Sequence, residues 1–182
     1  GLGAGAARRS GRDPWLGDAV GRIRKAAEMG QWGKPAAKGV FKGFGAHFSF
    51  GSYVAQVAEV SVQGDKLKVH KVYCAVDCGR VINLSGAETE VEGGIIDGLG
   101  HTLYGELQFK NGSVVQTNFN TYKMIHIADV PEIEVKFIES EVDPTGLGEP
   151  GLPPIGASVC NAIYNATGQR VTRLPLSLMQ FS

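Results

Sequence analysis

The sequence predicts an α+β fold in which helices pack on a mixed, largely antiparallel sheet. Two β-rich runs, SYVAQVAEVSV (52–62) and LKVHKVYCAVDC (67–78), are separated by a short turn that contains Gly64, which is typical of an antiparallel hairpin. Apolar residues recur at helical spacing in three further segments, namely 15–29, 86–105 and 155–167. With 182 residues, of which 43% are hydrophobic, the chain can bury a core.

The N-terminal region is predicted to be a loose arm followed by the first helix. Residues 1–14 are rich in Gly, Ala and Arg, and the segment GQWGKP (30–35) ends the helix. We expect residues 1–38 to form this arm and helix and residues 39–182 to form one domain, because no interior segment resembles a linker. The chain does not begin with Met, so it looks like a mature subunit, a proteolytic piece or an expressed fragment.

The second run of the hairpin is predicted to enter a sheet that is covered on both faces. It alternates at Leu67 and Val69 and becomes apolar on both sides from Val72 to Val76. The preceding segment VFKGFGAHFSF (40–50) is interrupted by glycines and receives no element.

The cysteines and histidines do not predict a disulfide or metal site. Three cysteines are too few for a disulfide framework in a chain of this size. Cys74, Cys78 and His70 are expected on one face of the same strand, where the two thiols would lie about 13 Å apart at roughly 3.3 Å per residue. That distance is too long for a disulfide or a shared metal ion, and no H-E-x-x-H pairing is present.

The helix predicted over residues 86–105 contains an unusual number of glycines. Ser85 and Glu88 have the spacing of a capping box and predict its start. Each glycine inside a helix lowers its stability by roughly 1 kcal/mol relative to alanine, so close packing or close approach of a ligand is expected to compensate. The glycines concerned are Gly93, Gly94, Gly98 and Gly100.

The C-terminal half contains signals for a hairpin, a strand and a final helix. Asn111 and Gly112 predict a tight hairpin turn. Apolar residues alternate with charged ones over residues 133–137, which predicts a half-buried strand. The helix over 155–167 follows two prolines suited to a first turn, and Gly168 is placed to end it in a left-handed cap.

A single carboxylate is held between glycine and proline in the segment GLGEPGLPPIG (146–156). Pro150 excludes the right-handed helical region for Glu149 and keeps that residue extended, while Gly148 has no side chain to block a ligand. The sequence therefore predicts a carboxylate with a fixed backbone. The alternative is a solvated turn acid that precedes an ordinary amphipathic helix.

Charge and motifs exclude several classes of function. Lys plus Arg and Asp plus Glu both number 18, with no dense basic block, so we predict small-molecule or protein partners and no nucleic acid. No apolar stretch predicts a signal peptide or membrane span. A G-x-S-x-G elbow is absent, and the glutamates at 88, 90 and 92 share one helix, unlike the two acids of a glycosidase.

Six motifs occur in one order between about Gly39 and Leu176. They are SYVAQVAEV, VHKVYCAVDCGRVIN, EVEGGIIDGLGHTLYGEL, TNFNTY, PEIEV and PTGLGEPGLPPIGASVCNAIYNATGQRVTRLPL. Together they strongly resemble the C-terminal part of the molybdenum-binding subunit of the xanthine dehydrogenase and aldehyde oxidase family. The branch they resemble most is the isoquinoline 1-oxidoreductase beta-subunit type.

This resemblance implies a molybdenum hydroxylase in which Glu149, in the family's G-E-P motif, is the general base. The enzyme would oxidise an aldehyde or N-heteroaromatic carbon with oxygen from water and pass electrons to a small [2Fe–2S] subunit. The implied cofactor is a molybdenum-pterin in the cytosine dinucleotide form. The contacts implied for that cofactor are Glu90, Gly93, Gly94 and Gly148.

Two departures from the family pattern affect these expectations. Glu90 stands where the family has Gln, so a negative charge replaces a neutral amide. The upstream glycine-rich cofactor loops are missing from the 182 residues, so we expect the rest of the molybdenum subunit to supply them and the isolated chain to be inactive and without cofactor. The alternatives are a non-catalytic assembly module with the same fold and an unrelated small α+β binding protein.

Overall fold

A computed structural model describes residues 14–138 and 141–181 and confirms the α+β fold predicted from the sequence. The elements are α1 (Pro14–Met29), β1 (Phe41–Ser49), β2 (Ser52–Gln63), β3 (Lys66–Asp77), α2 (Leu84–Tyr104), β4 (Phe109–Lys110), β5 (Ser113–Val114), β6 (Glu132–Phe137) and α3 (Pro153–Thr167). Four strands form one sheet in the order β1-β2-β3-β6, and β4 and β5 form a separate hairpin. Only the β3–β6 pair in the larger sheet is parallel, so the sheet is mixed and largely antiparallel as predicted.

Both faces of the larger sheet are covered, as the apolar run in β3 predicted. The main core lies between the sheet and the helices α2 and α3, with Val72, Ile95 and Val159 fully buried. A smaller cluster lies on the opposite face, where Ala26 of α1 packs with Ala75 of β3. The predicted arm lies outside the described residues apart from Pro14, and the domain division at residue 38 stays a prediction.

A bulge in β3 makes one prediction wrong. Glu59 pairs with Lys71 and Val60 pairs with Val69, so His70 is an extra residue on its strand. The alternation therefore shifts, and His70 bonds to Ser61 Oγ at 2.8 Å on the face opposite the main core. His70 does not share a face with Cys74, because a bulge reverses the order of inward and outward residues.

Residues 40–50, to which the sequence pattern assigns no element, contain β1. Its glycines allow α3 to lie directly on the strand: a Cβ atom built on Gly43 would be 2.0 Å from the carbonyl oxygen of Ser158, and one on Gly45 would be 2.5 Å from that of Pro154. Glycine inside a strand often marks such a close backbone approach. The same glycines that weaken the strand pattern thus fix the position of α3.

Helix α2 begins two residues before the predicted start, and its cap differs. Asn83 is the N-cap, and its Oδ1 accepts hydrogen bonds from Gly86 N at 3.1 Å and Ser85 Oγ at 3.2 Å. The predicted capping box of Ser85 and Glu88 is therefore wrong. Asparagine satisfies a free N–H of the first turn as well as serine does, so the earlier residue takes the role.

Four further local predictions are confirmed, namely the two hairpin turns, strand β6 and helix α3. The β2–β3 hairpin turns at Gly64, and Asn111 and Gly112 both have positive φ between β4 and β5. Strand β6 covers the predicted alternating segment. Helix α3 begins at Pro153 and ends at Gly168, which has a φ of 74°.

Candidate functional site

Glu149 opens a tight turn that leads into α3. The N–H of Leu152 donates to the carbonyl oxygen of Glu149 at 2.9 Å, and Pro150 and Gly151 are buried between them. We call residues 149–152 the Glu149 turn. Its backbone is held inside the molecule while the Glu149 side chain is exposed, so the carboxylate can reach a ligand.

The loop before the Glu149 turn is anchored to two strand ends. Thr145 N–H donates to the carbonyl of Cys78 at 2.8 Å, and Gly146 N–H donates to the carbonyl of Phe50 at 3.0 Å. The buried hydroxyl of Ser52 donates to the carbonyl of Gly146. These bonds fix the chain three residues before Glu149.

Gln56 anchors the turn on its other side. This side chain on β2 is fully buried, and its Nε2 donates to the carbonyl of Gly151 at 2.8 Å. Sequence reasoning missed this residue. The available signal was a polar residue on the core-facing side of a strand, since Val54, Ala58 and Val60 occupy the same side in the main core.

Helix α2 packs against the Glu149 turn through its glycines. A Cβ atom on Gly98 would lie 2.5 Å from the carbonyl oxygen of Leu152, and one on Gly94 would lie 3.6 Å from that of Gly148. Gly93 differs, because it is exposed and a Cβ there would meet no described heavy atom within 4 Å. Gly98 therefore serves packing, whereas Gly93 leaves open space.

A cleft of about 450 Å³ lies between α2, the end of β1 and the Glu149 turn. All five residues predicted for the site line it, so two segments far apart in sequence are brought together. The five are Glu90, Gly93, Gly94, Gly148 and Glu149. Glu90 Oε1 would be 3.2 Å from a Cβ on Gly148, so the carboxylate of Glu90 lies directly beside the Glu149 loop.

The cleft is rich in hydrogen-bond acceptors. Glu90, Glu149 and Asp97 contribute carboxylates, and Asp97 lies 3.6 Å from His101 Nε2. Ser49 Oγ is buried without a described hydrogen-bond partner. Such groups fit the amino and ring N–H donors of a pterin, and the open backbone at Gly93 allows a flat group to come close. The described lining residues include no Lys or Arg for a phosphate.

His47 also lines this cleft, whereas the thiol of Cys74 does not. Burial raises the pKa of the Cys74 thiol to about 12, so this thiol is protonated and unreactive at neutral pH. A larger cleft of about 860 Å³ lies near Tyr104 and Leu176, and it contains none of the predicted site residues.

Within residues 14–138 and 141–181, no cluster of three or more His, Cys, Asp or Glu side chains is arranged to bind a metal ion. No helix in the same residues is long and apolar enough to span a membrane.

The chain matches one family model and several known oxidoreductases. The model of the molybdopterin cofactor-binding domain matches residues 17–131. The chain is 34% identical over 161 residues to a membrane-bound aldehyde dehydrogenase (pyrroloquinoline-quinone) of Gluconacetobacter polyoxogenes, covering 85% of this chain and 21% of the relative. It is 34% identical over 159 residues to isoquinoline 1-oxidoreductase subunit beta of Brevundimonas diminuta, covering 85% and 20%.

The fold is shared with solved enzymes. The aldehyde oxidoreductase of Desulfovibrio desulfuricans superposes with a TM-score of 0.61 at 27% identity, over 69% of this chain and 14% of that chain. The matched part of the chain spans about a fifth of the length of the Gluconacetobacter and Brevundimonas relatives.

Proposed function

Because the chain belongs to the molybdopterin cofactor-binding domain family, we propose that it forms one wall of the active site of a molybdenum hydroxylase. The observation that carries this proposal is the cleft in which Glu149 meets Glu90 and the open backbone of Gly93. The backbone of Glu149 is held in place, and the space beside it can take a flat group. A general base that acts next to a cofactor requires such an arrangement.

The proposed reaction is the oxidation of an aldehyde or an electron-poor N-heteroaromatic carbon. Water supplies the oxygen atom, and the substrate C–H bond is replaced by C–OH with release of two electrons and two protons. The electrons leave to a small [2Fe–2S] partner subunit, and both protons finally pass to water. The molybdenum-pterin cofactor, in its cytosine dinucleotide form, supplies the two-electron redox chemistry when bound. Glu149 accepts the proton of the water-derived oxygen as the C–O bond forms, which makes this oxygen a better nucleophile.

The other predicted residues contribute to binding. The Glu90 carboxylate accepts hydrogen bonds from N–H groups of the pterin. These bonds compensate for the absence of a neutral amide at this position. Gly93, Gly94 and Gly148 leave room for the cofactor beside the helix and the turn. Phosphate groups would be held by the rest of the molybdenum subunit, so we propose that the isolated chain neither retains the cofactor nor turns over substrate.

A different cofactor is named by one relative, the membrane-bound aldehyde dehydrogenase (pyrroloquinoline-quinone). Molybdenum analysis together with extraction of the organic cofactor from the purified enzyme distinguishes the two. The proposal requires molybdenum and pterin in the subunit that carries this sequence. Stoichiometric quinone without molybdenum would contradict it.

The role of Glu149 is tested by Glu149→Gln in the full subunit assembled with its partner. We expect kcat to fall by roughly 10²- to 10⁴-fold, the range typical of losing a general base, with molybdenum content unchanged. Glu92→Gln is the matched control, because Glu92 lies on α2 outside the lining of the cleft and should keep a normal kcat. An unchanged rate in Glu149→Gln would exclude the general base and favour a non-catalytic assembly module.

A further inference from the structure

The amide of Gln56 is an unusual group in the main core. Its side chain is fully buried on β2, between core-facing residues such as Val54 and Ala58. Burying an amide is unfavourable unless it forms hydrogen bonds. Gln56 Oε1 has no described hydrogen-bond partner, so the amide stays only partly satisfied. A hydrophobic side chain of similar volume would remove the unpaired Oε1, but it would leave the carbonyl of Gly151 without its hydrogen bond.

What the amide provides is a directional contact with the Glu149 turn. Gln56 Nε2 donates to the carbonyl of Gly151 at 2.8 Å, and its second contact is the Cys74 sulfur at 3.7 Å. Gly45 lies opposite Gln56 on β1 and has no side chain to compete for this space. The strongest bond of Gln56 therefore goes to the residue two positions after Glu149.

Gly151 lies inside the hydrogen-bonded turn that begins at Glu149. Leu152 N–H closes the turn onto the carbonyl of Glu149, so a displacement of Gly151 moves both ends of the turn. A Cβ on Gly151 would lie 3.1 Å from the carbonyl of Val91, which means that α2 blocks one side of this residue. Gln56 supplies the attractive contact from the sheet that holds Gly151 against the helix.

We infer that Gln56 is a positioning residue, which orients the Glu149 carboxylate through its hydrogen bond to the carbonyl of Gly151. This inference rests on the proposed function of Glu149. Gln56 is too deeply buried to touch substrate, so its effect on the reaction is entirely indirect.

The test uses the full molybdenum subunit assembled with its partner and loaded with cofactor. Gln56→Met removes the donor and keeps similar volume. Because misplacing a reacting group by about 1 Å can lower the rate by roughly 10²-fold, we expect kcat per bound molybdenum to fall about 10- to 100-fold with KM unchanged. Gln56→Leu is a second apolar replacement, should Gln56→Met assemble poorly.

Ser158→Ala is the matched control. Ser158 Oγ is buried in the same region and donates to the carbonyls of Gln56 at 3.3 Å and Pro154 at 2.9 Å, but it makes no described bond to the Glu149 turn. Its loss should lower thermal stability about as much as Gln56→Met while kcat stays within about twofold, because a buried hydrogen bond is lost without freeing Gly151. Equal kcat values in the two variants would reduce Gln56 to a structural role and overturn the inference.

A double-mutant cycle identifies the residue through which Gln56 acts. If Gln56 works through Glu149, then Gln56→Met should slow the Glu149→Gln enzyme by less than twofold. The same 10- to 100-fold loss in both backgrounds would overturn the inference. A fully active Glu149→Gln enzyme would overturn both this inference and the proposed function, whereas an inactive Glu149→Gln with a normal Gln56→Met enzyme would overturn the role of Gln56 alone.

Discussion

Substitution of two glycines on α2 should distinguish the effect of helix packing from the effect of ligand access to the cleft. Gly98 is buried against the Glu149 turn, and Gly93 faces the cleft about 1.4 turns earlier on the same helix. Replacing either by alanine adds a single methyl group and favours the helix by roughly 1 kcal/mol. The two substitutions therefore have the same expected gain in helix stability. Any difference between their effects comes from the atoms around each glycine.

The structure gives different steric costs for the two added methyl groups. On Gly98 the methyl would lie 2.5 Å from the carbonyl oxygen of Leu152, and an ordinary contact starts at 3.4 Å, so the turn or the helix must move by about 0.9 Å. Overpacking of this kind costs about 1–3 kcal/mol, which cancels or exceeds the helical gain. On Gly93 no described atom lies within 4 Å, so the methyl is accommodated and the full gain remains.

The functional consequences differ in kind. A shift of about 0.9 Å in the turn that carries Glu149 should lower kcat by up to about 100-fold in Gly98→Ala, while the cofactor stays bound. In Gly93→Ala the methyl occupies the space proposed for the cofactor, so molybdenum content should fall. In the cofactor-free subunit, hydrogen exchange of peptides from residues 147–155 should be faster in Gly98→Ala than in the wild type and unchanged in Gly93→Ala. Normal exchange and kcat in Gly98→Ala would refute the packing argument, and full molybdenum in Gly93→Ala would refute the placement of the cofactor.

Two further predictions concern the cap of α2 and a buried thiol. Asn83→Ala should lower the free energy of unfolding by about 0.5–2 kcal/mol, as loss of an N-cap does, and Ser85→Ala should change it far less; equal effects in chemical denaturation would contradict the assigned cap. Burial raises the pKa of Cys74 from 9.0 to about 12, so the unfolded chain releases this proton at lower pH than the folded chain, and stability is lost as pH rises above 9. Between pH 9 and 10 the wild type should lose about 1 kcal/mol more than Cys74→Val in urea denaturation, and parallel losses would contradict the shift.

The elements were predictable wherever one face of a segment meets the core regularly. The helical repeat of α3, the turn at Asn111 and Gly112, and the doubly apolar run in β3 each depend on residues close in sequence. The strand β1 was not predictable in this way, because Gly43 is explained by α3, whose backbone lies more than a hundred residues away. The bulge at His70 was hidden for a similar reason, since it depends on pairing with β2.

The candidate site likewise contains residues that local sequence motifs identify and one residue that only a contact distant in sequence identifies. The sequence motifs name Glu149 and the glycines, and all of them line one cleft. They do not identify Gln56, whose bond to Gly151 joins residues 95 positions apart. A polar residue on the core-facing side of a strand indicates a hydrogen bond to a group elsewhere in the fold, but the sequence alone does not identify that group.

Local rigidity and orientation are separate properties of Glu149. Pro150 restricts the backbone of Glu149 whatever surrounds it, so an isolated peptide would share that restriction. The direction of the carboxylate in the folded protein depends in addition on α2, on the loop anchored at Gly146, and on the amide of Gln56. Since these contacts come from three different parts of the fold, a substitution in the sheet can weaken the proposed general base without touching it. Activity should therefore be more sensitive than global stability to changes at the contacts around the Glu149 turn.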